Sequence, residues 1–413
     1  MGHAINQPHT SPHPVIPEMS YRFTVADYQR MHEIDAINPA IRTELFEGGV
    51  LAMAAIGARH QSCVSQLAEI FFGRLQKRVI VNAQGSVQFA NSQFQPDLTI
   101  LQCDPSFYRT AYPQAGDVLL IVEVVDSQPL FDLKYDCQMK GLIYAESGIP
   151  EFWMVDLARQ QLEVHRHPST NGYQIRFMVT AADTLACLAF PEEEISLHEI
   201  LSQDSSSVDP LFDLKTPSRM LLQSQPEMPG IYYEFTVAEY QKLYEAGVIP
   251  SDVQTELLFG HISGVSPVKP LGQACIDRLN RKLHSLIQGR AIVGIKNSIV
   301  LMNSEQLQIH LTLLKNTENF YEDRSPEVSD ILLVIEVSDS VSMAEHLRSL
   351  KGNIYARSGI GEFWMVDSER RKLEVYRDPS PKGYQTKIIL TAADQVTGLA
   401  FPEESIALSE ILG

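Results

Sequence analysis

Asp97, Glu123 and Lys140 are the residues whose types and spacing point to chemistry. Glu123 lies inside Val118-Leu119-Leu120-Ile121-Val122-Glu123-Val124-Val125, a branched, apolar run with no alternation. Such a run reads as a strand buried on both faces. A carboxylate there needs a cation, a strong hydrogen-bond donor or a raised pKa. Asp97 follows Pro96 at the mouth of a second apolar segment, Leu98–Leu101, which pairs naturally with the first. Two carboxylates on adjacent strands form an oxygen site for a hard divalent ion, with water or a substrate phosphate completing the shell. Asp136 and Lys140, at i and i+4, fall on one face of the following helix. A lysine there can orient or deprotonate an attacking water and offset charge growing on a phosphate. The bland alternative is a structural acid paired with Lys134 or Lys140, beside an ordinary Asp136–Lys140 surface pair.

The elements that must position these groups can be read in order. Thr24 and Asp27 form a capping box that opens a short helix. Glu44 to Met53 reads as a hairpin turning on Gly48-Gly49, with Glu44 either a turn acid or part of the site. His60 to Lys77 carries Val64, Leu67, Phe71 and Leu75 on one helical face, and His60 by itself is a helix-start residue. Strands are expected at 80–82, 86–90, 97–101 and 118–125, then a helix over 134–147. A hairpin of 152–156 with 162–167 follows, then a strand near 175–179 and a short final helix. Trp153 and Trp364 belong to the core.

The chain then runs through the same order again. Ile331 to Asp339 repeats the apolar run, with Glu336 in the place of Glu123. Tyr355 to Asp367 repeats Tyr144 to Asp156. Glu44 and Glu256, Glu123 and Glu336, and Lys140 and Lys351 lie 212, 213 and 211 residues apart. This is a tandem duplication, not a solenoid of short repeats. The expected organisation is a His- and Pro-rich tail over 1–18, a first domain over 19–201, a linker over 202–229 and a second domain over 230–413. Pro129–Lys134 recurs as Pro210–Lys215 inside the linker, and nothing in the sequence explains it.

Composition narrows the class. The length, 413 residues, suits two domains, and 44% hydrophobic with 20% charged residues is ordinary for a soluble protein. No apolar run is long enough to span a membrane, and the N-terminus lacks the basic and apolar regions of a signal peptide. Five scattered cysteines without a CxxC arrangement read as reduced thiols, so a cytoplasmic location is expected. A formal charge of −18 argues against standing non-specific affinity for nucleic acid, though a local cleft can differ. Residues 1–201 alone carry 13 Lys and Arg against 23 Asp and Glu.

Pro96-Asp97, Glu123-Val124-Val125 and Asp136-x-x-x-Lys140-x-x-x-Tyr144-Ala145-x-x-Gly148-Ile149-Pro150-Glu151-Phe152-Trp153-x-Val155-Asp156 resemble the Uma-two family of restriction endonucleases. That family lies within the PD-(D/E)XK nuclease superfamily. The resemblance covers each repeat almost entirely. It implies two restriction-endonuclease-like α/β domains, each a central mixed sheet flanked by helices. It also implies hydrolysis of nucleic-acid phosphodiesters, DNA above all, with Mg²⁺ or Mn²⁺. Carried over by residue, Asp97, Glu123 and the Val124 carbonyl would hold the metal, with Glu44 as an outer ligand. Val125 stands where the motif often has lysine, so Lys140 would supply the ammonium from the helix. His60 would approach the phosphate.

The second repeat departs from this pattern: His310 replaces Asp97, Gly272 replaces His60 and Leu347 replaces Asp136. Glu256, Glu336 and Lys351 remain. Imidazole is a poor ligand for Mg²⁺, so this repeat reads as inactive. The competing class is a nuclease fold turned scaffold or regulatory binding module. The duplication also suggests an internal pseudo-dimer of the repeats, or a homo-oligomer. The discriminating observation is whether Lys140 points at the two acids or at bulk solvent.

Overall fold

The computed structural model describes residues 20–53, 57–126, 139–201, 232–265, 268–287, 289–322 and 324–412. It divides into two units, Arg22–Tyr233 and Glu234–Gly413, with Ser20 and Tyr21 joining the second. The expected N-terminal tail and linker, and with them Lys134 and Asp136, lie outside the described residues.

In the first unit, helix α1 (Val25–Glu33) starts at Thr24. The Asp27 N–H donates to the Thr24 hydroxyl, and the Thr24 N–H donates back to the Asp27 carboxylate. Strands β1 (Thr43–Phe46) and β2 (Gly49–Ala52) form the expected hairpin. Its turn places Glu47 and Gly48 at φ 44° and 83°, the left-handed pair that matches strand twist. Helix α2 (Ala58–Leu75) buries Val64, Leu67, Phe71 and Leu75, as the 3.6-residue spacing requires. Then come β3 (Ile80–Ala83), β4 (Val87–Gln88), β5 (Gln93–Phe94), β6 (Leu98–Leu101) and β7 (Val118–Val125). A wide π-helical turn at Met139 and Lys140 leads into helix α3 (Gly141–Glu146). Strands β8 (Glu151–Asp156), β9 (Gln161–Ser169), β10 (Gly172–Thr180), β11 (Thr184–Ala186) and β12 (Glu194–Ser196) complete the unit.

The central sheet runs β10-β9-β8-β7-β6-β3. Only the β7–β8 pair is parallel, and α3 lies on the crossover that such a pair needs. Leu120, Val122 and Val124 face a cluster with α2 and Trp153, while Ile121 and Val125 face one with Tyr144 and Phe152. The strand is therefore buried on both faces, and Glu123 points to the α3 side. Two details differ from the sequence reading. The strand expected over 86–90 is only Val87–Gln88, and the expected final helix is a single 3-10 turn, Leu197–Glu199, after the short β11–β12 pair.

The second unit repeats the plan with α4 (Val237–Glu245), β13 (Thr255–Leu258), β14 (His261–Gly264) and α5 (Pro270–Ile287). Its β15 (Ala291–Met302) and β16 (Glu305–Lys315) are long, where the first unit has the broken pairs β3/β4 and β5/β6. Pro96 explains the difference at β5/β6: it has no N–H for the ladder, and Ile309 stands in its place in β16. Strand β17 (Ile331–Ser338) is followed by α6 (Val341–His346), a π-helical turn over Leu347–Lys351 and α7 (Gly352–Arg357). Strands β18 (Glu362–Asp367), β19 (Lys372–Ser380) and β20 (Gly383–Thr391) extend the sheet. The pair β21 (Gln395–Gly398) and β22 (Phe401–Ala407) and helix α8 (Ser409–Leu412) end the chain. No described helix is long and apolar enough to cross a membrane.

One buried acid per unit ties the signature segment to its surroundings. Glu151 accepts from Trp153 Nε1 at 2.9 Å, from Arg166 at 2.7 Å and from the Leu188 N–H at 2.6 Å. Glu362 accepts from Trp364 Nε1 at 3.0 Å, Arg377 at 2.7 Å and the Leu399 N–H at 2.7 Å. Removing the acid strands a guanidinium and two N–H donors. Glu151→Ala and Glu362→Ala should each destabilise their own unit by about 3–5 kcal/mol, measured by urea unfolding of the full chain. Losses under about 1 kcal/mol would show that water replaces the carboxylate.

Candidate active site

Each site residue is held by the element that its sequence context requires. Asp97 sits at the entrance to β6, just before the ladder begins, so its N–H is left to donate to the Glu123 side chain. Glu123 projects from the middle of β7, and the antiparallel register sets Leu98 opposite Val122, bringing the two acids to adjacent positions. Lys140 arrives from the π turn, and Tyr144 lies one helical turn further along α3. Glu44 comes from β1.

The contacts form one network. The Val124 N–H donates to Asp97 Oδ2 at 2.8 Å, and the Asp97 N–H donates to Glu123 Oε2 at 3.3 Å. His60 Nε2 lies 2.9 Å from Asp97 Oδ2. Glu123 Oε1 accepts from Lys140 Nζ at 3.0 Å and from the Tyr144 hydroxyl at 2.7 Å. Lys140 Nζ is also 3.2 Å from Glu44 Oε1, which accepts from the Gln95 N–H at 2.8 Å. Lys140 is only 2% exposed, so it points at the acids and not at solvent.

Three carboxylates crowd one ammonium and one imidazole, and this shifts the groups' proton affinities. Burial pushes Glu123 up to about 7; Lys140 opposes the rise, while Asp97 and Glu44 add to it. Burial would lower His60, but its bond to Asp97 and the charges of Asp97 and Glu123 raise it above the ordinary histidine value. A cation added between Asp97 and Glu123 would relieve this crowding. The hydrogen bonds to Asp97 from described residues fall on Oδ2, which leaves Oδ1 for a ligand. Among the described residues no three His, Cys, Asp or Glu side chains form a ready cage.

The second unit keeps the frame and changes the occupant. Glu336 Oε1 accepts from Lys351 Nζ at 3.2 Å and from Tyr355 at 2.6 Å, and Lys351 Nζ bonds Glu256 Oε2 and the Gln308 carbonyl, both at 2.8 Å. His310 Nδ1 bonds Glu336 Oε2, on the side where Asp97 stands in the first unit. Burial would raise Glu336, but Lys351, His310 and Tyr355 together hold it down at about 2. Gly272 marks a tight position, since a Cβ there would meet Val268 at 2.7 Å.

Asp97, Glu123 and Lys140 thus converge, with His60 and Glu44 at their sides. Glu44 is no turn acid: it is fully buried in β1 and paired to Lys140. Tyr144 and Tyr355 were not singled out from sequence, although the Lys-x-x-x-Tyr spacing places each hydroxyl on the lysine's face of the helix.

Both repeats are similar to known proteins. The family model Uma2, described as "Putative restriction endonuclease", matches residues 25–198 and 237–409. A solved structure described as "a putative nuclease belonging to DUF820", from Anabaena variabilis, is 15% identical with a TM-score of 0.32; the match covers 40% of this chain and 92% of that one. No curated protein matches the chain.

The raised Glu123 pKa has a checkable origin. Asp97→Asn removes a neighbouring negative charge, so Glu123 should titrate below about 7 in the metal-free protein. Carboxyl-resolved ¹³C NMR of glutamate-labelled protein reads this directly, and an unchanged midpoint would assign the rise to burial and Glu44. In the wild type, the folded state keeps the Glu123 proton above pH 4.5, where the unfolded chain has released it. This group's contribution to stability therefore falls as pH rises from about 4.5 to about 7.

Proposed function

The chain belongs to the Uma2 family, and from that premise we propose that its first repeat hydrolyses phosphodiester bonds of nucleic acid, DNA first, with a divalent ion. The observation that carries the reading is the juxtaposition of Asp97 and Glu123 on paired strands with the Lys140 ammonium 3.0 Å from Glu123. This is the arrangement that a PD-(D/E)XK nuclease needs, with the lysine delivered by the helix.

Asp97 Oδ1, Glu123 and the Val124 carbonyl are the groups that would hold Mg²⁺ or Mn²⁺. When bound, such an ion polarises a phosphate oxygen and acidifies a water. Lys140 orients that water and offsets charge on the scissile phosphate. Glu44, engaged with Lys140 and the Gln95 N–H, fixes the lysine and is not needed as an outer ligand. His60 steadies Asp97 through Nε2 and, when protonated, favours an approaching phosphate. The second repeat is catalytically silent in this reading, because His310 meets the need of Glu336 that a cation would otherwise meet.

The test is cleavage of single- and double-stranded DNA by the full chain with Mg²⁺ or Mn²⁺. Asp97→Asn and Lys140→Met should each lower kcat by about 100-fold or more. Full activity in both variants would overturn the assignment. Metal affinity should also rise as pH increases from 6 to 8, because Glu123 gives up a proton near pH 7 on binding. Calorimetric titration with Mg²⁺ checks this, and Glu123→Gln should abolish both the binding and its pH dependence.

A further inference from the structure

Glu163 in β9 and Glu374 in β19 are counterparts, each buried in its sheet, yet the two repeats surround them differently. Among the described residues, Glu163 meets one guanidinium, that of Arg176, and the ring of His165. Burial pulls His165 below the ordinary histidine value, so the charged partner is Arg176.

Glu374 meets three cations. Lys372 Nζ lies 2.8 Å from its Oε1, while Arg348 Nε and Lys387 Nζ lie 2.9 and 3.0 Å from its Oε2. The Tyr376 hydroxyl donates to Oε2 as well. Burial would raise Glu374, but Lys372, Tyr376, Lys387 and Arg348 hold it at about 2, so its charge is fixed. Arg348 also reaches towards the buried Asp367 at 3.8 Å, and Arg370 lies 3.4 Å from the same carboxylate. Four cations therefore share two carboxylates, and two positive charges in the cluster are left uncompensated. Like charges this close repel, a cost that an arriving anion relieves. Arg348 and Lys372 stand where the first repeat has Cys137 and Gln161, so the surplus is particular to the second repeat.

The strand register lays the cations in a row. Glu374 stands opposite Met365 and Ile389, Lys372 opposite Thr391, and Tyr376 opposite Lys387, all on the α7 face of the sheet. Arg348 comes over that face from the π turn, and Arg370 flanks it from the β18–β19 turn. The side chains of Lys387 and Arg370 are 42% and 46% exposed. An ammonium has three N–H donors, so both lysines can hold Glu374 and still donate outward.

We propose that this strip binds the phosphodiester backbone of a nucleic-acid strand, which makes the second repeat a module that holds substrate. A row of cations on one sheet face suits a polymer with an anion at every residue. On a chain of net charge −18, such a local surplus is where a polyanion settles. The choice of polymer rests on the nucleic-acid reading above; the strip itself needs no metal.

The experiment is fluorescence anisotropy of short labelled single- and double-stranded DNA with the full chain, in EDTA and at low salt. Lys372→Gln combined with Lys387→Gln should weaken binding about tenfold or more. It should also flatten the dependence of log K on log salt by about one for each lysine. Lys372→Arg combined with Lys387→Arg should keep the binding, which separates charge from folding. Lys282→Gln, on the α5 side of the sheet, removes a charge elsewhere and should change nothing. The proposal fails if the wild type binds neither DNA, if the glutamine pair binds like the wild type, or if Lys282→Gln weakens binding as much. It also fails if a poly-glutamate peptide of equal charge competes as well as DNA, which would assign the strip to an acidic protein. Strip-dependent binding without any cleavage would overturn the catalytic reading alone. Cleavage with strip-independent binding would overturn this inference alone.

Discussion

A carboxylate placed in a strand that is buried on both faces constrains everything around it. Glu123 is 2% exposed and Glu336 fully buried, so neither can rely on water. The fold answers with the same devices twice: an ammonium from a π turn, a tyrosine hydroxyl one helical turn later, and a backbone N–H from the antiparallel neighbour. A wide turn in the helix allows the first device, because it resets the register so that Lys140 and Lys351 reach inward. The lysine is in turn anchored by a second acid, Glu44 or Glu256. Removing any one of these groups leaves a charge in the core.

The two repeats separate what belongs to the frame from what belongs to the chemistry. The frame (Glu44, Glu123, Lys140, Tyr144 and their counterparts) is retained in both. What changes is the residue at the strand mouth. With Asp97 there, Glu123 is pushed to about 7; with His310 there, Glu336 is held at about 2. One position thus converts a site short of positive charge into one that has met its own need. Pro96 belongs with the Asp97 arrangement, because it breaks β5 from β6 where Ile309 lets β16 run on.

Much of this was legible in the sequence because the signals were periodic or chemically costly. The unbroken apolar run gave β7 and its double-sided burial, and the Thr-x-x-Asp spacing gave the first helix cap. The lone acid inside that run demanded a partner, and Lys140 lies against it. Glu44 stayed ambiguous because a turn acid and a buried acid look alike beside two glycines; only burial separates them. The π turn and the Tyr144 hydroxyl were missed because both depend on how a helix winds locally, which a 3.6-residue pattern does not encode. The Glu151–Trp153–Arg166 cluster was hidden for a similar reason, since Arg166 and the Leu188 N–H reach Glu151 only through strand register and a loop.

Retention of Glu336, Lys351 and Glu256 in the second repeat is then no argument for retained activity. A buried acid pair and its lysine form a closed electrostatic unit, and losing one member is costlier than keeping all three, whatever the site does. Positions outside that unit are free to follow function. In the first repeat those positions are Asp97 and His60, which touch each other. In the second, His310 turns inward to complete the unit.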